Sequence, residues 1–205
     1  MFAALAIPSQ RWEMLFVWLG LALIIDGIDG TFARMAHVET RLPRFSGETL
    51  DLVIDYVTYV FVPVLALLAA GHLPGILGEV LAAGILLSSL FHFSDNGSKD
   101  EDKSFVGFPA IWNVVAFYIF VFSPSWQVSA AIVGTCIVLT FVPWRWVHPL
   151  RVVRLRPLTL AMTVAWAVAA VLAVYQGFDA VSFPVKAVLL AAVVYALGLG
   201  VWRRG

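Results

Sequence analysis

The chain has 205 residues, 61% of them hydrophobic and 13% charged, with mean hydropathy +0.93 and a formal net charge of +0. A soluble domain carries about a quarter of its residues as charged side chains, so this composition marks a membrane protein. The lack of a positive balance excludes nucleic acid as a partner, because displacing counterions from phosphates needs basic patches, and one cysteine, Cys136 in an apolar run, excludes an internal disulfide framework.

Met1 to Ile7 is apolar, has no basic leader before it and stops at Pro8. It does not read as a signal peptide and is far shorter than the roughly 20 residues a span needs. It reads instead as the tail of a helix whose beginning is missing. Apolar segments of roughly spanning length follow at 12–28, 49–71, 76–93, 108–123, 126–146, 157–176 and 183–202, separated by polar or Pro/Gly-containing connectors. The expected fold is all-α, a polytopic membrane bundle of about seven helices in one domain covering residues 1–205, since no repeat or long linker divides the chain. Cys136 is a packing residue in this scheme.

Alternating the connectors between two sides of a membrane puts Arg34, Arg41, Arg44, Lys99, Lys103, Arg145, Arg151, Arg154, Arg156, Arg203 and Arg204 on one side, eleven in all, against Arg11 and Lys186 on the other. Positive charge accumulates on the cytoplasmic face, so that face receives the eleven. Trp12, Trp18, Trp126, Trp144, Trp146 and Trp202 lie mostly near segment ends, where an indole anchors at headgroup level.

Asp26 and Asp29 stand three apart near the end of the first long segment, and Asp51 and Asp55 four apart near the start of the second. Both spacings place a pair on one helical face. If the polar stretch from Ala36 to Ser46 closes a helical hairpin, four carboxylates meet at one level, at the cytoplasmic face. Unpaired, they repel one another strongly. One or two divalent cations are the natural remedy, because hard cations take carboxylate oxygens and metal clusters serve phosphoryl chemistry. A structural ion-pair network with Arg34, Arg41 and Arg44 is the plainer alternative.

Written out, the stretch is D-x2-D-G-x2-A-R-x12-G-x3-D-x3-D, on Asp26, Asp29, Gly30, Ala33, Arg34, Gly47, Asp51 and Asp55. It resembles the signature of the CDP-alcohol phosphatidyltransferases, membrane enzymes that move a phosphatidyl or phosphoalcohol group from a CDP-linked donor to an alcohol and release CMP. Most of that family has a shorter spacing between the Arg and the next Gly than the twelve residues here. The longer spacing, with Asp26-Gly27-Ile28-Asp29-Gly30, resembles the bacterial phosphatidylcholine synthase branch, as do the stretches from Gly107 to Asn113 and from Val147 to Leu158.

The resemblance implies condensation of CDP-diacylglycerol with choline to give phosphatidylcholine and CMP, in the bacterial inner membrane with the active site facing the cytoplasm. It implies Mn²⁺ or Mg²⁺ held by Asp26, Asp29, Asp51 and Asp55, with Asp55 also the general base for the choline hydroxyl. Asp26, Gly30, Ala33, Arg34, Gly47 and Asp51 would bind the CDP-lipid: the small residues allow close approach, and the Arg34 fork suits phosphate oxygens. Members commonly pair as homodimers.

Choline carries a quaternary ammonium, so a pocket for it uses aromatic faces. Tyr56, Tyr59, Phe91, Trp112 and the neighbouring Asn113 are candidates near the cytoplasmic level, although each serves equally well as packing. Arg151, Arg154 and Arg156 either set topology or hold phosphate and anionic headgroups. His148 is a connector residue. Because phosphorylated acceptors need extra basic groups, these arginines leave open inositol phosphate or glycerol 3-phosphate as acceptor, with serine a further alternative. A cation transporter is the rival from another class, and it predicts broken helices with acids at the midplane.

The family pattern usually has one further complete membrane helix before the Asp pair, of which only Met1 to Ile7 would represent the end here. The expectation is that this chain is less active than one extended upstream.

Overall fold

A computed structural model describes residues 1–37, 41, 44–95, 105–143, 145–146 and 155–202. The apolar start is helical over Phe2–Leu5 (α1). Seven apolar helices follow among the described residues: α2 Trp12–Met35, α3 Gly47–Ala69, α4 Gly75–Ser94, α5 Trp112–Phe122, α6 Trp126–Phe141, α7 Arg156–Gln176 and α8 Phe183–Trp202. They fall on the seven apolar segments expected from hydropathy. α2, α3, α4 and α7 are long and apolar enough to cross a membrane, while α5 and α6 are shorter. Among the described residues, a two-residue antiparallel pairing joins Phe105–Val106 (β1) to Arg145–Trp146 (β2). It ties the segment before α5 to the end of α6.

The helices turn outward much of what a soluble protein buries. On α2 only Leu15, Phe16 and Leu19 are buried, whereas Ile24, Phe32 and Met35 are 61–71% exposed. An apolar surface of this extent fits lipid as the surrounding solvent.

The core sits toward the start of α2. Phe16 packs edge-on to Phe120 and Phe178 at 5.1 and 5.2 Å, and Trp12 lies 5.2 Å from Phe120. Rings in these tilted arrangements gain about 1 kcal/mol per pair beyond the area they bury. α1 closes this end, with Ala3 and Ala6 buried and Phe2 stacked on Trp18 at 4.8 Å. His72, in the connector after α3, meets Phe120 edge-on, and burial lowers its pKa, which keeps the ring neutral.

Apolar packing alone holds helices weakly together in lipid, so shared polar contacts matter more there. The Tyr118 hydroxyl donates to the Leu189 carbonyl at 2.8 Å and accepts from the Trp166 indole N–H at 3.1 Å, joining α5, α7 and α8. Thr159 and Tyr195 share a hydrogen bond at 2.7 Å between α7 and α8.

Gly107 has φ +80°, and a Cβ there would run into the Thr140 carbonyl. The Phe108 N–H donates to the Leu139 carbonyl at 3.0 Å. Only glycine fits so close an approach at that φ, so the stretch opening at Gly107 is held by its seating on the end of α6.

Candidate active site

α2 ends at Met35 and α3 begins at Gly47. Ser46 caps α3, its hydroxyl accepting from the Thr49 N–H at 3.1 Å. Asp26 on α2 and Asp51 and Asp55 on α3 then converge, with a carboxylate oxygen from each lying within 4.8 Å of the others. Asp26 and Asp55 are half-buried and Asp51 is exposed. The four-residue spacing on α3 is what lets two of its acids face the same neighbour.

Asp29 does not join this group of oxygens; it is exposed, one turn nearer the end of α2. The sequence expectation was four converging carboxylates, and the tight group contains three. A spacing of three keeps Asp29 on the same side of α2 but about one turn further along its axis.

α3 is not a uniform helix. Gly47–Asp55 is α-helical, Tyr56–Phe61 forms a π-helical turn, and Val62–Ala69 is α-helical again. Pro63 supplies the reason. In an α-helix it would leave the Tyr59 carbonyl without its partner and press its ring against that oxygen. The wider turn absorbs the conflict, and the Val62 N–H reaches five residues back to the Val57 carbonyl.

The buried Tyr59 lies in this turn, and its hydroxyl donates to Asp26 Oδ2 at 2.7 Å. Asp55 Oδ1 is buried and finds no hydrogen-bond partner among the described residues. Two like charges 4.8 Å apart repel by about 3.5 kcal/mol at an effective dielectric of about 20. Three hard carboxylate donors, one with an orphaned buried oxygen, fit a divalent cation.

The glycines and the arginine of the motif lie on the open side. Among the described residues, a Cβ on Gly47 would meet nothing within 4 Å, and one on Gly30 would meet only Arg34 Nη1, at 3.5 Å, an ordinary contact. The protein's own packing therefore requires neither glycine. Ala33 and Arg34 are exposed, and the Arg34 guanidinium donates to Thr31 Oγ1 at 3.2 Å.

The choline-pocket candidates separate. Tyr56, beside Asp55, is half-buried, donates to the Leu86 carbonyl at 3.1 Å and meets Phe93 edge-on at 6.2 Å. The Tyr59 hydroxyl is engaged by Asp26. Trp112 has no exposed surface and donates its indole N–H to Ser89 at 2.9 Å. Asn113 is buried, and its Oδ1 accepts from the Val114 N–H at 2.9 Å. Phe91 is exposed on α4. Of the three arginines, Arg156 is exposed at the start of α7, while Arg151 and Arg154 lie outside the described residues, as does His148.

The Tyr59–Asp26 bond is the contact that sequence reasoning missed. The signal available was the spacing, Tyr59 standing four residues beyond Asp55.

No family model matches the chain. It is 44% identical over 200 residues to the phosphatidylcholine synthase of Mesorhizobium japonicum, covering 98% of this chain and 75% of that protein. Identity to the phosphatidylcholine synthase of Rhizobium meliloti is 40%, covering 94% of this chain and 80% of the relative. For the Pseudomonas aeruginosa protein of the same name it is 41%, covering 99% and 85%. Similarity at this level over nearly the whole chain, on a helix bundle that gathers three of the motif's carboxylates, places the chain in the bacterial phosphatidylcholine synthase family.

Proposed function

We propose that the chain transfers the phosphatidyl group of CDP-diacylglycerol to choline, giving phosphatidylcholine and CMP, at a metal-dependent site on the cytoplasmic side of a bacterial inner membrane. The observation that carries this reading is the meeting of Asp26, Asp51 and Asp55 in a chain so similar to phosphatidylcholine synthases. The excess of Lys and Arg in the connectors on the same side as the carboxylates supports the cytoplasmic placement.

Asp26, Asp51 and Asp55 would hold Mn²⁺ or Mg²⁺, with Asp29, one turn further along α2, a more peripheral member of the set. A bound divalent cation neutralises the pyrophosphate charge and steadies the leaving phosphate. The residues of the chain do the rest. Asp55 takes the proton of the choline hydroxyl as its oxygen bonds to the lipid-linked phosphorus. The phosphorus–oxygen bond to CMP breaks, and CMP leaves with the electron pair. Arg34 offers its fork to phosphate oxygens from the open side. The exposed, apolar second half of α2 lies where diacyl chains would run.

Tyr56, the residue after Asp55 in α3 with its ring against Phe93, supplies the aromatic face for choline in this reading. A quaternary ammonium on such a ring face is favoured by about 1 to 2 kcal/mol. Arg156, exposed at the start of α7, is placed to meet anionic headgroups.

Gly30 and Gly47 give a test of the lipid-nucleotide site. Because an added Cβ finds open space or an ordinary contact, Gly47→Ala and Gly30→Ala are expected to leave thermal stability unchanged, or to raise it by up to about 1 kcal/mol. Their KM for CDP-diacylglycerol is expected to rise. A loss of stability with an unchanged KM would instead assign the glycines to the fold.

The acceptor is tested by CMP release from CDP-diacylglycerol with purified protein, offered choline, glycerol 3-phosphate, inositol phosphate or serine in turn. Release with choline alone is expected. Release with another acceptor and none with choline would keep the reaction class and overturn the acceptor.

A further inference from the structure

We infer that Tyr59, which lies in the π-helical turn Tyr56–Phe61, is a positioning residue for Asp26. The inference rests on the reading of Asp26, Asp51 and Asp55 as a divalent-cation site.

Asp26 faces two other carboxylates at close range. Before a cation arrives, repulsion favours any rotamer that swings it away. A neutral hydroxyl donor opposes this without adding charge. Tyr59 is 8% exposed and reaches from one helix to the other, with its donor oxygen 2.7 Å from Oδ2. A ring so enclosed has little freedom to follow a drifting carboxylate, so the carboxylate is held to the ring. Partners behind metal ligands fix ligand orientation in this way and are worth about 10- to 100-fold in metal affinity.

Tyr59 stands four residues after Asp55 and eight after Asp51, so helical spacing already puts it on the face that carries these acids. At Pro63 a regular α-helix would drive the proline ring against the Tyr59 carbonyl. Widening the backbone over Tyr56–Phe61 removes that conflict between the acidic first half of α3 and its apolar second half. Tyr59 lies within the widened turn, with Asp55 at its threshold. Wide turns of this kind recur at functional sites.

The assignment differs from a choline-binding role for Tyr59, because the hydroxyl is held by a carboxylate and the ring is buried. It also predicts a quantity that a purely structural tyrosine would not move. Mn²⁺ binding is measured on the purified 205-residue chain in lipid nanodiscs, without substrates, from the electron paramagnetic resonance signal of free Mn²⁺. Three variants are compared with the parent: Tyr59→Phe, Asp55→Asn and Tyr118→Phe. Tyr118→Phe removes a half-buried hydroxyl that donates to the Leu189 carbonyl, away from the carboxylates.

Tyr59→Phe is expected to raise the Mn²⁺ Kd about tenfold, with Tyr118→Phe unchanged. A Tyr59→Phe value within twofold of the parent would overturn the inference and leave the metal site standing. An equal weakening in Tyr118→Phe would also overturn it, by tracing the effect to any lost hydroxyl. Absence of Mn²⁺ binding in the parent, or undiminished binding in Asp55→Asn, would overturn the metal reading itself and the inference with it.

Discussion

Asp55→Asn is expected to lower phosphatidyl transfer by about a thousandfold, the loss that follows when a general base is removed, with the protein still folded in the membrane. The amide keeps the shape of the side chain and removes both the proton acceptor and a charged oxygen donor. In the parent, Asp55 Oδ1 is buried without a hydrogen-bond partner among the described residues, and Asp26 and Asp51 crowd the same space. Neutralising one of three like charges relieves repulsion when no cation is present. Thermal unfolding in the presence of chelator is therefore expected to show the variant at least as stable as the parent. A rate loss together with a clear loss of metal-free stability would mean that Asp55 serves the fold.

The second large effect concerns the other two ligands. Chelation of divalent ions is expected to abolish transfer by the parent, and added Mn²⁺ or Mg²⁺ to restore it. Asp26→Asn and Asp51→Asn are expected to need at least about a hundredfold more metal for half-maximal rate, since even partners behind the ligands are worth about 10- to 100-fold. Asp29→Asn is expected to fall below them, because Asp29 is exposed and outside the group of converging oxygens. A titration of rate against Mn²⁺ for the three variants checks the order. Equal dependence for all three would mean that Asp29 swings in as a full ligand.

The helices were legible because hydropathy responds to length and composition, and lipid leaves helices as the economical way to satisfy the backbone. The hairpin between α2 and α3 was legible for the same reason, and with it the approach of Asp26 to Asp51 and Asp55. Helical spacing predicts which side chains share a face, but it assumes one pitch. Nothing in the hydropathy of Tyr56–Phe61 announces a wider turn; its cause is a single steric conflict at Pro63. The Tyr59–Asp26 bond joins two helices and leaves no trace in hydropathy, so the sequence put Tyr59 among the choline candidates instead.

Trp112 and Asn113 show a different limit. Aromatic and amide side chains at an apolar boundary read equally as ligand-binding or as packing, and the structure engages both internally. Gly107 reads as one more flexible residue until its seat against Thr140 is seen. For Gly30 and Gly47 the structure removes the packing explanation and leaves the open side of the site.

The most direct test of the account is the transfer of labelled choline into chloroform-soluble lipid by membranes carrying this chain, with and without CDP-diacylglycerol and Mn²⁺, for the parent and Asp55→Asn. Incorporation that needs both additions and is lost in the variant is the expected result. Incorporation that proceeds without CDP-diacylglycerol, or that persists undiminished in Asp55→Asn, would contradict it.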